Sequence, residues 1–252
     1  MELRGQAGLI TGGGTGLGRE IALQLAHAGM DLGIAYSRSR EDAEQTVREV
    51  EAMGVRAVAL QADLKMTADA KRLVEAFSEA FGRLDLLIHN AATTRFVPFP
   101  DLDAIDEEGW DELFAVNTKS AFFLAQAAAP LLKRDGGGQI ITTSSIAGIS
   151  TRGSSLPYCV SKAALIHLTK CLAIALAPEV RVNSVAPGLL LTRWSAGFSE
   201  ERIAYMSERA LLQKATDLED VAASFVMLAK NSSITGQVIV VDAGLMEGRN
   251  TN

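Results

Sequence analysis

The chain has 252 residues, with 24 Lys and Arg against 30 Asp and Glu, a formal net charge of −6. That balance excludes the basic surface needed to meet nucleic-acid phosphates, and 48% apolar with 21% charged residues is an ordinary soluble composition. The most apolar stretch, 163–177, is broken by His167, Thr169 and Lys170, and the first residues lack an apolar core with a cleavage site. Neither a membrane span nor a secretory leader is therefore expected, and a cytoplasmic location is.

In chain order, short apolar runs alternate with helical patterns. Residues 6–10 (QAGLI) read as a buried strand ending in a glycine-rich turn, and Leu17, Ile21 and Leu25 then recur at helical spacing. DLGIAY (31–36) is a second strand, and Ala43, Val47 and Val50 mark the next helical face. VRAVALQAD (55–63) is a third strand, followed by a stripe of Ala70, Leu73, Val74, Phe77 and Phe81 read as core. LDLLIHNAA (84–92) is a fourth strand, followed by a loop to about residue 106 and one long helix over 107–133. QIITTSS (139–145) is a fifth strand, 157–177 a helix opening on Pro157, and VRVNSVAP (180–187) a sixth strand. Residues 199–212 and 218–229 read as helices before a last strand, QVIVVD (237–242).

Strands of near-continuous Val, Ile and Leu, each followed by a helix, require a parallel sheet covered on both faces. The fold class is therefore α/β: one doubly wound domain over 1–252, with a seven-stranded, mostly parallel sheet. In such sheets ligands bind beyond the carboxyl ends of the strands, where the strand order reverses.

Cys159 and Cys171 fall on one predicted helix, roughly 18 Å apart along its axis, and read as reduced thiols. His27, His89, His167 and the two cysteines show no metal-ligand spacing, so no metal is expected. Asn231-Ser232-Ser233 has the form of a glycosylation sequon and is read as chance.

Residues 11–18 read TGGGTGLG. A P-loop would need Lys and then Ser or Thr, but Arg19-Glu20 follows Gly18. The GxGxxG fingerprint fails at Leu17. What fits is Gly12-x-x-x-Gly16-x-Gly18 between a strand and a helix, where glycines let the backbone approach a pyrophosphate at the helix's positive end. Of three tyrosines only Tyr158 has a lysine four residues on, Lys162, on the same helix face. A phenol near pKa ~10 is a poor proton donor at neutrality. An ammonium at ~5 Å, with an effective dielectric of ~20, stabilises the phenolate by about 3 kcal/mol. Lys162 is thus expected to bring Tyr158 into useful range. Ser145, at the end of the fifth strand, falls at the same sheet edge as the glycine turn.

With these motifs in order, the chain resembles the short-chain dehydrogenase/reductase family in its short single-domain branch, along nearly its whole length. TGGGTGLG (11–18) matches that branch's TGxxxGxG turn, and HNAA (89–92) resembles its NNAG element. Asn117 matches its fourth-helix asparagine, SSIAG (144–148) ends its serine strand, and YCVSK (158–162) gives its tyrosine and lysine. PGLLLT (187–192) resembles its PGxxxT segment, and ITGQVIVVDAG (234–244) its terminal strand. The resemblance implies a Rossmann-type domain with a nucleotide-binding half over about 1–92, catalytic and substrate elements over about 93–252, and a lid over about 189–212.

It implies Tyr158 as general acid in carbonyl reduction and base in alcohol oxidation, with Lys162 lowering its pKa and holding the nicotinamide ribose. Ser145 would hydrogen-bond the substrate oxygen, and Asn117 would support a proton-relay water. Gly12, Thr15, Gly16, Leu17 and Gly18 would line the pyrophosphate, and Asp63 and Leu64 the adenine. Asn90, Ala91, Pro187, Gly188 and Thr192 would complete the cofactor site. His89, Ala92 and the DAG at 242–244 depart from the family's NNAG and DGG. His89 is read as a polar residue satisfied at a strand end, with no catalytic role.

The second strand ends at Tyr36-Ser37-Arg38-Ser39-Arg40, with the first acid, Glu41, at the next helix start. An acid there would bind a ribose 2′-hydroxyl, whereas Arg38, assisted by Ser37, suits a 2′-phosphate. NADP(H) is the expected cofactor and NAD(H) the alternative. Substrate contacts are expected from Ser145, Ile146, Tyr158, Leu189 and Trp194, with Thr93, Ile149, Leu156, Leu190, Phe198 and Tyr205 as further candidates. The set is mostly apolar and suits a hydrophobic or cyclic ketone or the matching alcohol. Nearest in pattern is the 3-oxoacyl-carrier-protein reductase branch, but Ile174 stands near where such enzymes carry a basic residue for an acidic carrier, so a small-molecule carbonyl is preferred. The apolar stretches 121–130 and 171–177 suggest packing between subunits, and a homodimer or homotetramer fits the family. The remaining alternatives are an NAD-dependent alcohol dehydrogenase, a non-catalytic nucleotide-binding regulator, disfavoured by Ser145, Tyr158 and Lys162 standing together, and an extended-branch epimerase, disfavoured by the glycine spacing.

Overall fold

The first apolar run and the helix behind it set the pattern for the chain. In the computed structural model, which describes residues 2–134 and 136–248, β1 (Ala7–Thr11) sends Leu9 to one face of a sheet and Ile10 to the other, both fully buried. Then α1 (Gly16–His27) buries Leu17, Ile21 and Leu25, the predicted stripe. The same unit recurs through β2 (Asp31–Tyr36), α2 (Arg40–Glu51), β3 (Ala57–Gln61), α3 (Thr67–Phe81) and β4 (Leu86–His89). The second half adds α4 (Glu107–Phe114), α5 (Ser120–Leu132), β5 (Gly138–Thr143), α6 (Leu156–Leu176) and β6 (Val180–Pro187). It closes with α7 (Glu200–Arg209), α8 (Leu218–Lys230) and β7 (Val238–Val241). The residue ends of the expected 1–252 domain, 1 and 249–252, and Asp135 lie outside the described residues.

The described strands form one seven-stranded sheet in the order β3-β2-β1-β4-β5-β6-β7, every pairing parallel. One face carries Ile10, Ile34, Ile88 and Val185 against Ile21 and Leu25 of α1 and Phe225 of α8. The other carries Leu9, Leu87, Ile140 and Val182 against Phe77 of α3, Leu124 of α5 and Leu172 of α6. Each such side chain contributes about 1.5–3 kcal/mol on burial. Strand order reverses between β1 and β4, so the crevice expected for a ligand opens there.

Several boundaries read from the sequence need correction. The long helix over 107–133 is α4 and α5 joined by one π turn, Ala115–Lys119, in which the Ser120 N–H reaches back to the Ala115 carbonyl. A π turn inserts one residue into a helix without ending its apolar periodicity, so the pattern does not register it. The helix over 199–212 stops at Arg209, and Gln213 just beyond takes a φ of 54°. Strands β3, β4, β5 and β7 are each shorter than read, and Ser145 lies past the end of β5. By length and apolarity alone α6 could cross a membrane, yet it packs on the sheet and buries Leu165, Leu172 and Ala173.

Candidate active site

The turn after β1 is shaped by close approach. Gly12 has a φ of +64°, and a Cβ there would lie 3.1 Å from the Ala91 Cα. A Cβ on Gly18 would sit 2.1 Å from the Gly12 carbonyl oxygen, which backbone cannot accommodate. The first turn of α1 therefore folds tightly onto the loop. Thr15 caps α1 without a side-chain hydrogen bond, and no acid occupies the first helical turn. Free N–H groups and the positive helix end thus face the crevice, a fit for a pyrophosphate.

Asn90, at the end of β4, knits this floor together. Its Nδ2 donates to the carbonyls of Thr11 and Gly12 at 3.2 and 3.1 Å, and its Oδ1 accepts from Thr143 Oγ1 at 3.2 Å. At the start of α2, Arg40 is committed to Glu44 at 2.7 Å. Arg38 has no carboxylate partner among the described residues, and Glu41 lies inside α2, off the cleft.

The second group converges from β5 and α6. Ser145 caps a short 3₁₀ turn, Ile146–Gly148, its Oγ accepting from the Ala147 N–H at 3.1 Å. Ser155 caps α6 and places Tyr158 in its first turn. Tyr158 faces the cleft that Ser145 also lines, and its ring lies 6.1 Å from that of Trp194. One turn on, Lys162 is buried, its Nζ donating to the Thr143 carbonyl at 2.8 Å and standing 5.8 Å from the centre of the Tyr158 ring. The expected lowering of the Tyr158 pKa does not appear in this arrangement. Burial pushes the phenol up to about 12, with the nearby Ser145 hydroxyl opposing it. Burial likewise brings Lys162 down to about 7. Desolvation is the largest cause of both shifts.

These groups line a single cleft of about 1100 Å³ running from the glycine turn to α7. Every candidate cofactor residue reaches it, from Gly12, Thr15, Gly16, Leu17 and Gly18 through Ser37, Arg38, Asp63 and Leu64 to Asn90, Ala91, Pro187, Gly188 and Thr192. Ser145, Ile146, Tyr158, Lys162, Leu189 and Trp194 line its other end, with Thr93, Leu190, Phe198 and Tyr205. Ile149 and Leu156 do not line it. Asn117 does not either: it is fully buried behind the wall, its Oδ1 accepting from the Thr93 N–H at 2.8 Å and its Nδ2 donating to the Thr93 carbonyl and to Ser161 Oγ, both at 3.0 Å. His89 is only half satisfied, with Nε2 2.7 Å from Ser120 Oγ and Nδ1 unpartnered. The sequence reading missed Phe96, Arg152, Arg202, Met206 and Arg209 on the cleft. The signal available for three of them was the i, i+4, i+7 spacing of Arg202, Met206 and Arg209.

A cradle for a dinucleotide beside a Ser, Tyr and Lys group on a seven-stranded doubly wound sheet defines a nicotinamide-dependent oxidoreductase scaffold. Comparison with known proteins narrows the class. Residues 12–246 match the family model described as Enoyl-(Acyl carrier protein) reductase. The chain is 38% identical over 239 residues, 94% of each chain, to the granaticin polyketide synthase putative ketoacyl reductase 2 of Streptomyces violaceoruber. A short-chain dehydrogenase of Burkholderia cenocepacia in complex with NADP superposes with a TM-score of 0.90 at 34% identity, covering 98% of this chain and 100% of that one. A 7α-hydroxysteroid dehydrogenase complexed with NADH and a 7-oxo bile acid gives 0.90 at 29% identity, covering 96% and 95%. The chain belongs to the short-chain dehydrogenase/reductase family, and it is an oxidoreductase using a nicotinamide cofactor.

Proposed function

We propose that the chain transfers a hydride between NADP(H) and a small, largely apolar carbonyl or secondary alcohol, with Tyr158 handling the proton. The observation that carries this reading is that Tyr158 and Ser145 line the same cleft as the glycine turn, with Lys162 one turn below Tyr158 and its Nζ 5.8 Å from the ring centre. The nicotinamide, when bound, supplies or takes the hydride.

The chain's own residues do the rest. Ser145 Oγ and Tyr158 Oη hold the substrate oxygen, and in reduction the Tyr158 hydroxyl releases its proton to that oxygen as negative charge develops there. With the phenol pushed up to about 12, it stands protonated at neutral pH and donation is the demanding step, whereas the phenolate, once formed, readily recovers a proton. A charged Lys162 favours the phenolate so formed. Asn117 acts through position, since its amide is spent on Thr93 and Ser161, and it fixes the loop after β4 against α6. Residues 1–92 supply most of the dinucleotide cradle, while 189–212 act as a lid that excludes water.

The preference for NADP(H) over NAD(H) rests on an unpaired Arg38 and a neighbouring Ser37 on the cleft, with no acid lining the end of β2. A ketoacyl reductase, the description carried by the Streptomyces relative, is the second reading; against a carrier protein stands Ile174, 83% exposed on α6. A homodimer or homotetramer is proposed from the apolar side chains exposed on α4, α5 and α6, and a cytoplasmic location agrees with the free thiols Cys159 and Cys171.

Following nicotinamide absorbance over a panel of ketones with NADPH and with NADH tests the assignment. Turnover should favour NADPH. Tyr158→Phe should cost about two to four orders of magnitude in kcat with dinucleotide binding retained. Unaltered turnover in that variant, or a clear NADH preference, would reject the corresponding half of the proposal.

A further inference from the structure

The substrate end of the cleft is apolar in its walls and cationic at its rim. Leu189, Trp194, Phe198 and Met206 of the lid line this end of the cleft with Tyr158, and Arg152, Arg202 and Arg209 line it too. In a chain with a net charge of −6, these three guanidiniums have no carboxylate partner among the described residues. The fourth arginine on that side, Arg193, is already paired with Asp42 at 3.0 Å. Among the described residues, the acids on the cleft are Asp63, by the expected adenine position, and Glu112, which is paired with Lys65 and Arg95.

Aromatic faces, not anions, hold two of these arginines. The Arg202 guanidinium stands 4.2 Å over the Phe198 ring, and that of Arg209 stands 5.6 Å over Tyr205, donating to its hydroxyl at 3.4 Å. Such stacking fixes the planar group while leaving most of its donors free. Seven residues apart on α7, Arg202 and Arg209 share one face, and Met206 lies between them. Arg152 belongs to the facing wall. Phe96 packs edge-on against Phe198 at 5.4 Å, and the adjoining Val97 N–H donates to the Ser154 carbonyl at 2.8 Å, tying the Arg152 loop to the lid's contact.

We propose that the substrate is amphipathic: a carbonyl on an apolar body whose far end bears an anionic group, received by Arg202 and Arg209 with Arg152 across the cleft. This rests on the oxidoreductase reading and narrows its substrate class. A carboxylate of a small molecule and the phosphate of a pantetheine arm offer the same chemistry, and substrate pairs tell them apart.

The test compares 3-(4-acetylphenyl)propanoate with its methyl ester, and with acetoacetyl-phosphopantetheine, using the NADPH-loaded enzyme. The acid should exceed the ester in kcat/KM by about tenfold or more, carried by KM and weakened by salt. In Arg202→Gln/Arg209→Gln the ratio should fall towards one, and Arg202→Lys/Arg209→Lys should restore part of it. A thioester preferred over both and lost in the same variant would support the anion site and place the charge on a carrier arm. Equal efficiency for acid and ester, with the ester turned over, would overturn the anion site and leave the reductase standing. Titrating unreactive 3-(4-ethylphenyl)propanoate against bound-NADPH fluorescence reads the site without chemistry. Arginine-dependent binding there, with no ketone reduced, would support the anion site and overturn the reductase reading.

Discussion

His89 carries an electrostatic cost that the tyrosine and lysine beside it make easy to overlook. The Ser120 hydroxyl donates to the Val116 carbonyl at 2.6 Å, so it accepts from His89, and the imidazole carries its proton on Nε2. Nδ1 is then a buried acceptor without a partner among the described residues. Burial, with the Lys162 charge as the next cause, pushes the ring down to about 3 from 6.5. Between those values the unfolded chain binds more protons than the folded one. Stability is therefore full above 6.5 and falls as pH drops towards 3, by about 1.4 kcal/mol per pH unit. His89→Asn, which keeps a donor for Ser120, should flatten the decline. Urea unfolding from pH 7 to about 4 reads it, and parallel profiles for the two proteins would refute it. The sequence could not show this. It marks His89 as polar at a strand end, but whether both nitrogens find partners depends on helices distant in the chain. Ser145, Tyr158 and Lys162 were legible because strand end and helix turn are local spacings. Arg202 and Arg209 were not, because only the packing of α7 over the cleft gives their spacing a meaning.

At the scale of elements, what divides the helices is whether they own part of the core. Each helix from α1 to α6, and α8, buries side chains against the sheet or a neighbouring helix, whereas α7 has no buried residue. Its ties are surface contacts, Phe198 on Phe96 just before it and the exposed Arg193–Asp42 pair, and exposed pairs contribute about 0–1 kcal/mol. Few buried contacts make a low-stability unit. The amides of α7 should therefore exchange with solvent at least about tenfold faster than those of α8. Adding NADPH with a product alcohol should slow them selectively. Hydrogen exchange read by mass spectrometry checks both statements, and α7 protection equal to α8 in the free protein would remove the lid. Strand positions were legible here because each strand is a short run around a few Val, Ile or Leu residues set between helical patterns. Their ends were not, since hydrogen-bond register rather than composition ends a strand. The π turn at Ala115–Lys119 escaped for a related reason: Asn117 earns its place through bonds to Thr93 and Ser161, and neither partner is near it in sequence.

For the molecule as a whole, the two faces of the second-half helices have different destinations. On α5, Ala121, Leu124, Ala125, Ala128 and Leu132 face the chain's own core, which accounts for most of the apolar stretch 121–130. Phe122 points the other way and is exposed, as is Trp110 on α4, which stacks on Phe114 at 5.4 Å. On α6, which packs against both α4 and α5, Val160 and Ile174 are exposed while Leu165 and Leu172 are buried. Exposed aromatic and branched side chains on adjoining helices are what a subunit contact covers. Pairing such faces across a twofold axis would bury each of them twice, so charge placed there is felt twice. The protein should sediment as a dimer or larger at micromolar concentration, and Phe122→Glu/Ile174→Glu should shift it towards the protomer by raising the dissociation constant at least about a hundredfold. The cleft in each protomer is lined by that protomer's own residues from β1 to α7, so cofactor binding should survive the dissociation. A wild-type chain that sediments as a protomer would show that these side chains are merely exposed, and the apolar stretches 121–130 and 171–177 would then owe their composition to the sheet alone.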